Sequence, residues 1–128
     1  MTFSQAEQSI RNAFTSDDWT INEVTVYPTN YKGAITQEEY LIYGVHPSSS
    51  RWAEFGRVRK QGILIVSIFT RSGLGLVRAY EIGDLLDGIF EGADLGELRF
   101  SSSMITLIGY SDSQPDFYRA DYLIEFTT

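Results

Sequence analysis

The sequence predicts an α+β fold, with an antiparallel sheet of about four strands and two helices packed on one face. Three observations carry that expectation. Gly62-Ile63-Leu64-Ile65-Val66-Ser67-Ile68-Phe69 is followed by a glycine-punctuated turn, Thr70 to Gly75, and then by a helical pattern ending Gly88-Ile89-Phe90. A strand with so little polar content belongs in the middle of a sheet, and the helix after it belongs on that sheet. The closing segment alternates cleanly, with Tyr118, Ala120, Tyr122, Ile124 and Phe126 on one face and Arg119, Asp121, Glu125 and Thr127 on the other. The order helix, strands, helix, strands, with hairpin-length connections, completes the argument.

The first helix is expected from about Phe3 to Phe14, with Ser4 and Glu7 at capping-box spacing and Ala6, Ile10, Ala13 and Phe14 on one face. Asp17 and Asp18 break it. Trp19 to Tyr27 then reads as a short edge strand that Pro28 ends. Glu38 to His46 carries aromatic and branched residues on both faces, and Pro47-Ser48-Ser49-Ser50 stops it. A loop through Arg51, Trp52 and Phe55 leads into a strand from about Arg57 to Thr70, polar first and apolar later, so the two strands form a long projecting hairpin. The second helix, about Gly75 to Phe90, turns Ala79, Ile82, Gly83, Leu86, Ile89 and Phe90 to the core. Leu98 to Phe100 reads as a short strand, Met104 to Tyr110 as a clearer one, and Ser111 to Asp116 as a turn.

At 128 residues the chain suits one domain, and 43% hydrophobic with 14% aromatic residues suffices for a packed core. There is no cysteine, which excludes disulfides and thiolate chemistry, and the single histidine, His46, has no sequence neighbour to orient it. The start lacks the basic and apolar run of a signal peptide. No apolar stretch approaches the roughly 20 residues that cross a bilayer, so a soluble protein is expected. The formal charge of −7, from 17 acidic and 10 basic residues, disfavours tight DNA binding, which depends on neutralising phosphates. An acidic wall past which DNA slides remains compatible with it.

Chemistry-bearing patterns are few. Gly73-Leu74-Gly75 lacks the third glycine of a nucleotide fingerprint, Arg78 standing in that place, and reads as a tight turn. Asp84, Asp87 and Glu91 read as a solvated helix face rather than a cation site. No catalytic residue, metal or cofactor is assigned, and no enzymatic activity is expected. The loop from Ser48 to Arg57 is different: Arg51, Trp52, Phe55 and Arg57 are residue types that carry binding energy at interfaces. We expect this loop to meet a partner, with Trp52 as its anchor. The polar face of the last strand, Arg119, Asp121 and Glu125, has no helix to cover it and is expected to meet solvent, a neighbour or a lumen.

Gly62 to Phe69, Thr70 to Gly75, Asp84 to Phe90, Leu98 to Phe100 and Tyr118 to Phe126, with weaker agreement over Ala6 to Phe14 and Val26 to Asn30, resemble the tail terminator proteins of long-tailed (siphovirus) phages. In many members an Asn directly follows the Pro that ends the first strand, whereas this chain reads Pro28-Thr29-Asn30. The resemblance spans residues 1–128 as a single domain. It implies a virion structural protein at the head-proximal end of the tail, assembled in the host cytoplasm. A hexameric ring would dock on the last ring of tail tube protein, stop polymerisation and offer a surface to head-completion proteins, with DNA passing through the hole. A head-completion or neck protein is the alternative in the same class. A small ligand-binding or enzymatic α+β domain is the alternative from another class.

Overall fold

The computed structural model describes residues 2–33, 35, 38–52, 58–73, 75–110 and 116–128, and only the main chain of 48–52 and 58–59. The elements are α1 (Phe3–Thr15), α2 (Asp17–Thr20), β1 (Thr25–Pro28), β2 (Tyr40–Trp52), β3 (Val58–Arg71), α3 (Val77–Phe90), β4 (Asp94–Leu95), β5 (Leu98–Tyr110) and β6 (Phe117–Thr127). They correct the expected architecture. In place of about four antiparallel strands and two helices, one strongly curled, half-barrel sheet of six strands carries three short helices.

The strand order is β1-β2-β3-β6-β5-β4. The sheet is mixed because β1 runs parallel to β2, while the other pairs are antiparallel. Residues 19–27 supply that difference. Instead of a single edge strand they form a helical turn around Trp19 and then β1. Asp17 and Asp18 lie in the first turn of α2, where the helix dipole favours negative charge. The turn buries the Trp19 ring, whose indole N–H donates to the Val24 carbonyl at 3.1 Å.

Two strands are longer than the sequence suggests, and both continue through bulges. β2 passes Pro47 with a register shift between Pro47 and Ser49 and stays paired to β3 as far as Trp52 opposite Val58. Because β1 accompanies β2 only up to Tyr43, the proline lies where, among the described residues, the outer side of β2 is uncovered, and a bulge at such an edge accommodates a missing N–H. β5 likewise runs unbroken from Leu98 to Tyr110, with shifts between Phe100 and Ser103 and between Leu107 and Gly109. Gly109, at φ 118°, takes a conformation open to glycine.

One face of the sheet holds the core. Leu41 and Tyr43, Leu64, Val66 and Ile68, and Ala120, Tyr122, Ile124 and Phe126 are buried beneath the stripe Ala6, Ile10, Ala13 and Phe14 of α1 and the stripe Ala79, Ile82, Gly83, Leu86 and Phe90 of α3. The rings of Trp19, Phe14, Phe90, Phe100 and Phe126 touch in sequence, with centroids 5.3 to 5.9 Å apart, linking all three helices to β5 and β6. A side chain at Gly83 would meet the Ile105 tip, so the glycine sets the approach of α3. The cap of α1 lies two residues earlier than expected: Thr2 accepts from the Gln5 backbone, and the Gln5 side chain accepts from the Thr2 N–H.

Candidate functional site

Asp87 is less solvated than its helix pattern suggests. Its carboxylate accepts from the Tyr122 hydroxyl at 2.7 Å and from Ser103, whose hydroxyl also lies 3.0 Å from Glu91. This group ties α3 to β5 and β6. Burial first, then the Asp87 carboxylate, pushes the Tyr122 hydroxyl well above its usual range, and burial does the same more weakly to Tyr43. The folded protein thus holds the Tyr122 proton more tightly than the unfolded chain does. Its contribution to stability is complete below the unfolded tyrosine value of about 10 and is lost as pH rises beyond it. The urea midpoint should therefore fall above about pH 10, and Tyr122→Phe should blunt that fall. Equal alkaline losses in both proteins would remove Tyr122 as the cause.

The helix-free face carries two groups. Tyr40 stacks on Phe69 at 4.7 Å and meets Phe117 and Tyr27 edge-on, with the Arg71 guanidinium over the Phe117 ring. Beside them Arg119 grips Asp121 through two N–H donors, at 2.9 and 3.0 Å, and this hydrogen bonding raises the Arg119 pKa. Asp121 is nearly buried and Glu125 is exposed. Of the expected partner-facing residues, Arg51 and Trp52 form the last two positions of β2, opposite Arg59 and Val58. Phe55 and Arg57 lie outside the described residues.

Two openings flank the β1 side. A groove of about 500 Å³ is lined by Arg11, Phe14, Trp19, Val24, Val26 and Tyr43, and a cleft of about 400 Å³ by Glu23, Glu38, Glu39, Thr70, Arg71 and Arg78. In the cleft, Arg78 and Glu39 are locked in a two-point ion pair. Among the described residues, no three His, Asp or Glu side chains converge as metal ligands would, and no helix is long and apolar enough to cross a membrane.

The feature that the sequence did not single out is the outline of the sheet. One row across it runs Thr25–Tyr40–Phe69–Arg119–Gly109, and another runs Ser49–Gln61–Thr127–Arg99–Asp94. The first row includes β1 and lacks β4; the second includes β4 and lacks β1. The sheet is therefore stepped. Among the described residues, β5 has an open outer edge from Met104 to Tyr110, and β2 has one from Gly44 to Trp52, diagonally across.

Apart from the bulge between Leu107 and Gly109, the β5 edge has little of the usual protection. Met104 to Tyr110 contains no charge and no proline, and Met104, Leu107, Ile108 and Tyr110 are 60%, 41%, 52% and 65% exposed. An apolar strand with unpaired N–H and C=O groups is a template for another chain. Its apolar content reads as core in the sequence. Only counting which strands end up at an edge reveals it.

No family model matches the chain, and no curated protein is similar to it in sequence. Several solved structures share the fold, among them one that aligns over nearly the whole chain. The TM-score is 0.64 and the identity 17%, over 99% of this chain and 95% of the other.

Proposed function

We propose that this chain is a phage tail terminator: a structural subunit that forms a hexameric ring on the end of the tail tube, stops its growth and presents a surface for head joining. The observation that favours self-assembly is the apolar, uncharged edge of β5, set diagonally across the sheet from a second open edge on β2. Contacts between two different surfaces of one subunit are heterologous, and they close into a ring when the rotation between neighbours closes. The number six, the tail tube and the head-completion protein as partners, and the virion location come from the sequence resemblance. The net charge of −7 suits a lumen through which DNA slides without adhering.

Purified tail tubes supply the test. Added protein should cap tube ends as a ring visible by electron microscopy and should halt elongation, while binding to free duplex DNA at physiological salt stays weak. Trp52→Ala should leave the monomer folded and weaken capping by about 2 kcal/mol, the scale of an aromatic hot spot. Tubes that elongate unchanged, with no density at their ends, would end this reading. Submicromolar duplex affinity would end the sliding-channel part of it.

A further inference from the structure

We infer that, away from the tail tube, two copies of this chain pair through the outer edges of their β5 strands, antiparallel about a two-fold axis at Thr106. The pairing covers the edge assigned above to ring contacts, and only this masking rests on the ring reading.

The strand itself names its occupant. Met104-Ile105-Thr106-Leu107-Ile108 reads alike in both directions, two aliphatic residues on either side of a threonine. β6 pairs with this segment along one side, β4 reaches only Leu98 and Arg99, and among the described residues no other backbone bonds the outer side of 104–108. Laid antiparallel on its own copy, Thr106 faces Thr106, Ile105 faces Leu107 and Met104 faces Ile108, so aliphatic meets aliphatic and hydroxyl meets hydroxyl. Open N–H and C=O groups on both strands gain partners.

The two faces of the sheet agree with this register. Ile105 lies on the helix-bearing face, its tip against Gly83 of α3, and Leu107 follows it there opposite Ala120; Thr106 lies on the other face, opposite Asp121. A two-fold axis perpendicular to the sheet keeps the helices of both copies on the same side. Ile105 and the exposed Leu107 then meet on that side, where Tyr80, one turn before Gly83 on α3, is also exposed and apolar. The bulge leaves Ile108 without a partner of its own on β6 and ends the matched segment.

Charge supports a second copy as well. Residues 100–111 carry no charge in a chain of −7, so two repelling copies meet at least cost along this strand. Five paired residues a side make a contact smaller than the roughly 1,600 Å² of a standard interface, which suits a pair that the tube end must take apart.

Position 106 supplies the test, because there each strand faces itself. Directly opposed residues lie about 4.5–5.5 Å apart, within reach of a disulfide. The chain has no cysteine, so Thr106→Cys should oxidise to a linked dimer while Ile21→Cys, at another exposed site, stays monomeric. Sedimentation velocity should show a wild-type dimer that strengthens as salt screens the repulsion. Thr106→Lys and Thr106→Glu should each unfold at the wild-type temperature and pair at least tenfold more weakly. Mixed, they should pair at least tenfold more tightly than either alone, since opposite charges then meet on the axis; variants that are merely damaged do not recover on mixing.

A wild type that stays monomeric at high concentration and high salt would overturn the inference. So would assemblies larger than a dimer without tubes, equal linkage of the Ile21 variant, or a mixture no tighter than its parts. The linked Thr106→Cys dimer should fail to cap tail tubes and should cap them once reduced; a linked dimer that caps normally would overturn the masking. Tubes left uncapped by a wild type that does pair would end the terminator reading and leave the pair standing, so the two failures are distinguishable.

Discussion

Phe90→Ala is expected to lower the unfolding free energy by about 3–5 kcal/mol, the usual cost of emptying an aromatic site in a packed core. Phe90 is fully buried at the end of α3 and touches Phe14 of α1 and Phe100 of β5, with centroids 5.3 Å away in each case. It joins both long helices to the sheet. Domains of this size are stable by roughly 5–15 kcal/mol in total, so the variant should be close to unfolding at 37 °C. Urea denaturation followed by circular dichroism measures the loss. Phe90→Leu, which keeps most of the volume, should recover more than half of it. A loss below about 1 kcal/mol for the alanine variant would mean that the helices are held to the sheet by other contacts.

Trp19→Ala carries the second large effect, again about 3–5 kcal/mol. The side chain is 1% exposed, packs edge-on against Phe14 at 5.6 Å and holds the Val24 carbonyl one residue before β1. Trp19→Phe separates the two contributions. It keeps most of the apolar contact and leaves the carbonyl unpaired, so it should cost nearer to 1–3 kcal/mol. Hydrogen exchange should show the amides of β1 losing protection before those of β3 in both variants. Uniform loss across the sheet would show instead that Trp19 supports the whole core equally.

What the sequence made legible follows from which signals are periodic. The apolar stripes Ala6–Ile10–Ala13–Phe14 and Ala79–Ile82–Leu86–Phe90 occupy the positions that their spacing indicates, and Ile63 to Phe69 lies within the interior strand β3. Four residues of helix around Trp19 cannot show a period, so in the sequence α2 reads as strand. The parallel pairing of β1 depends on where the chain returns after the segment 29–39, which no local pattern records.

Pro47 reads as part of a stop, and Leu98–Phe100 and Met104–Tyr110 read as two strands, because the sequence does not show the bulges through which β2 and β5 continue. The apolar run from Met104 to Tyr110 was read correctly as strand. Its exposure was invisible, because hydrophobicity alone does not distinguish a buried strand from an edge awaiting a neighbour. Asp87 was likewise assigned to water because its partners Tyr122 and Ser103 are remote in sequence.

The pairing at the middle of the sheet has a consequence for how the protein is made. β3 is flanked by β2, which precedes it in the chain, and by β6, which follows it at long range; Gln61 finds its partner in Thr127. On the ribosome the β2–β3 hairpin can form early, but one long side of β3, including Leu64, Val66 and Ile68, stays without its neighbour until β6 emerges. Long-range pairing of this kind is slow and leaves apolar strands exposed to other nascent chains. A chain truncated before β6 would keep the most apolar strand of the protein as a free edge, so release of the eleven residues of β6 is the step that commits the nascent polypeptide to its fold.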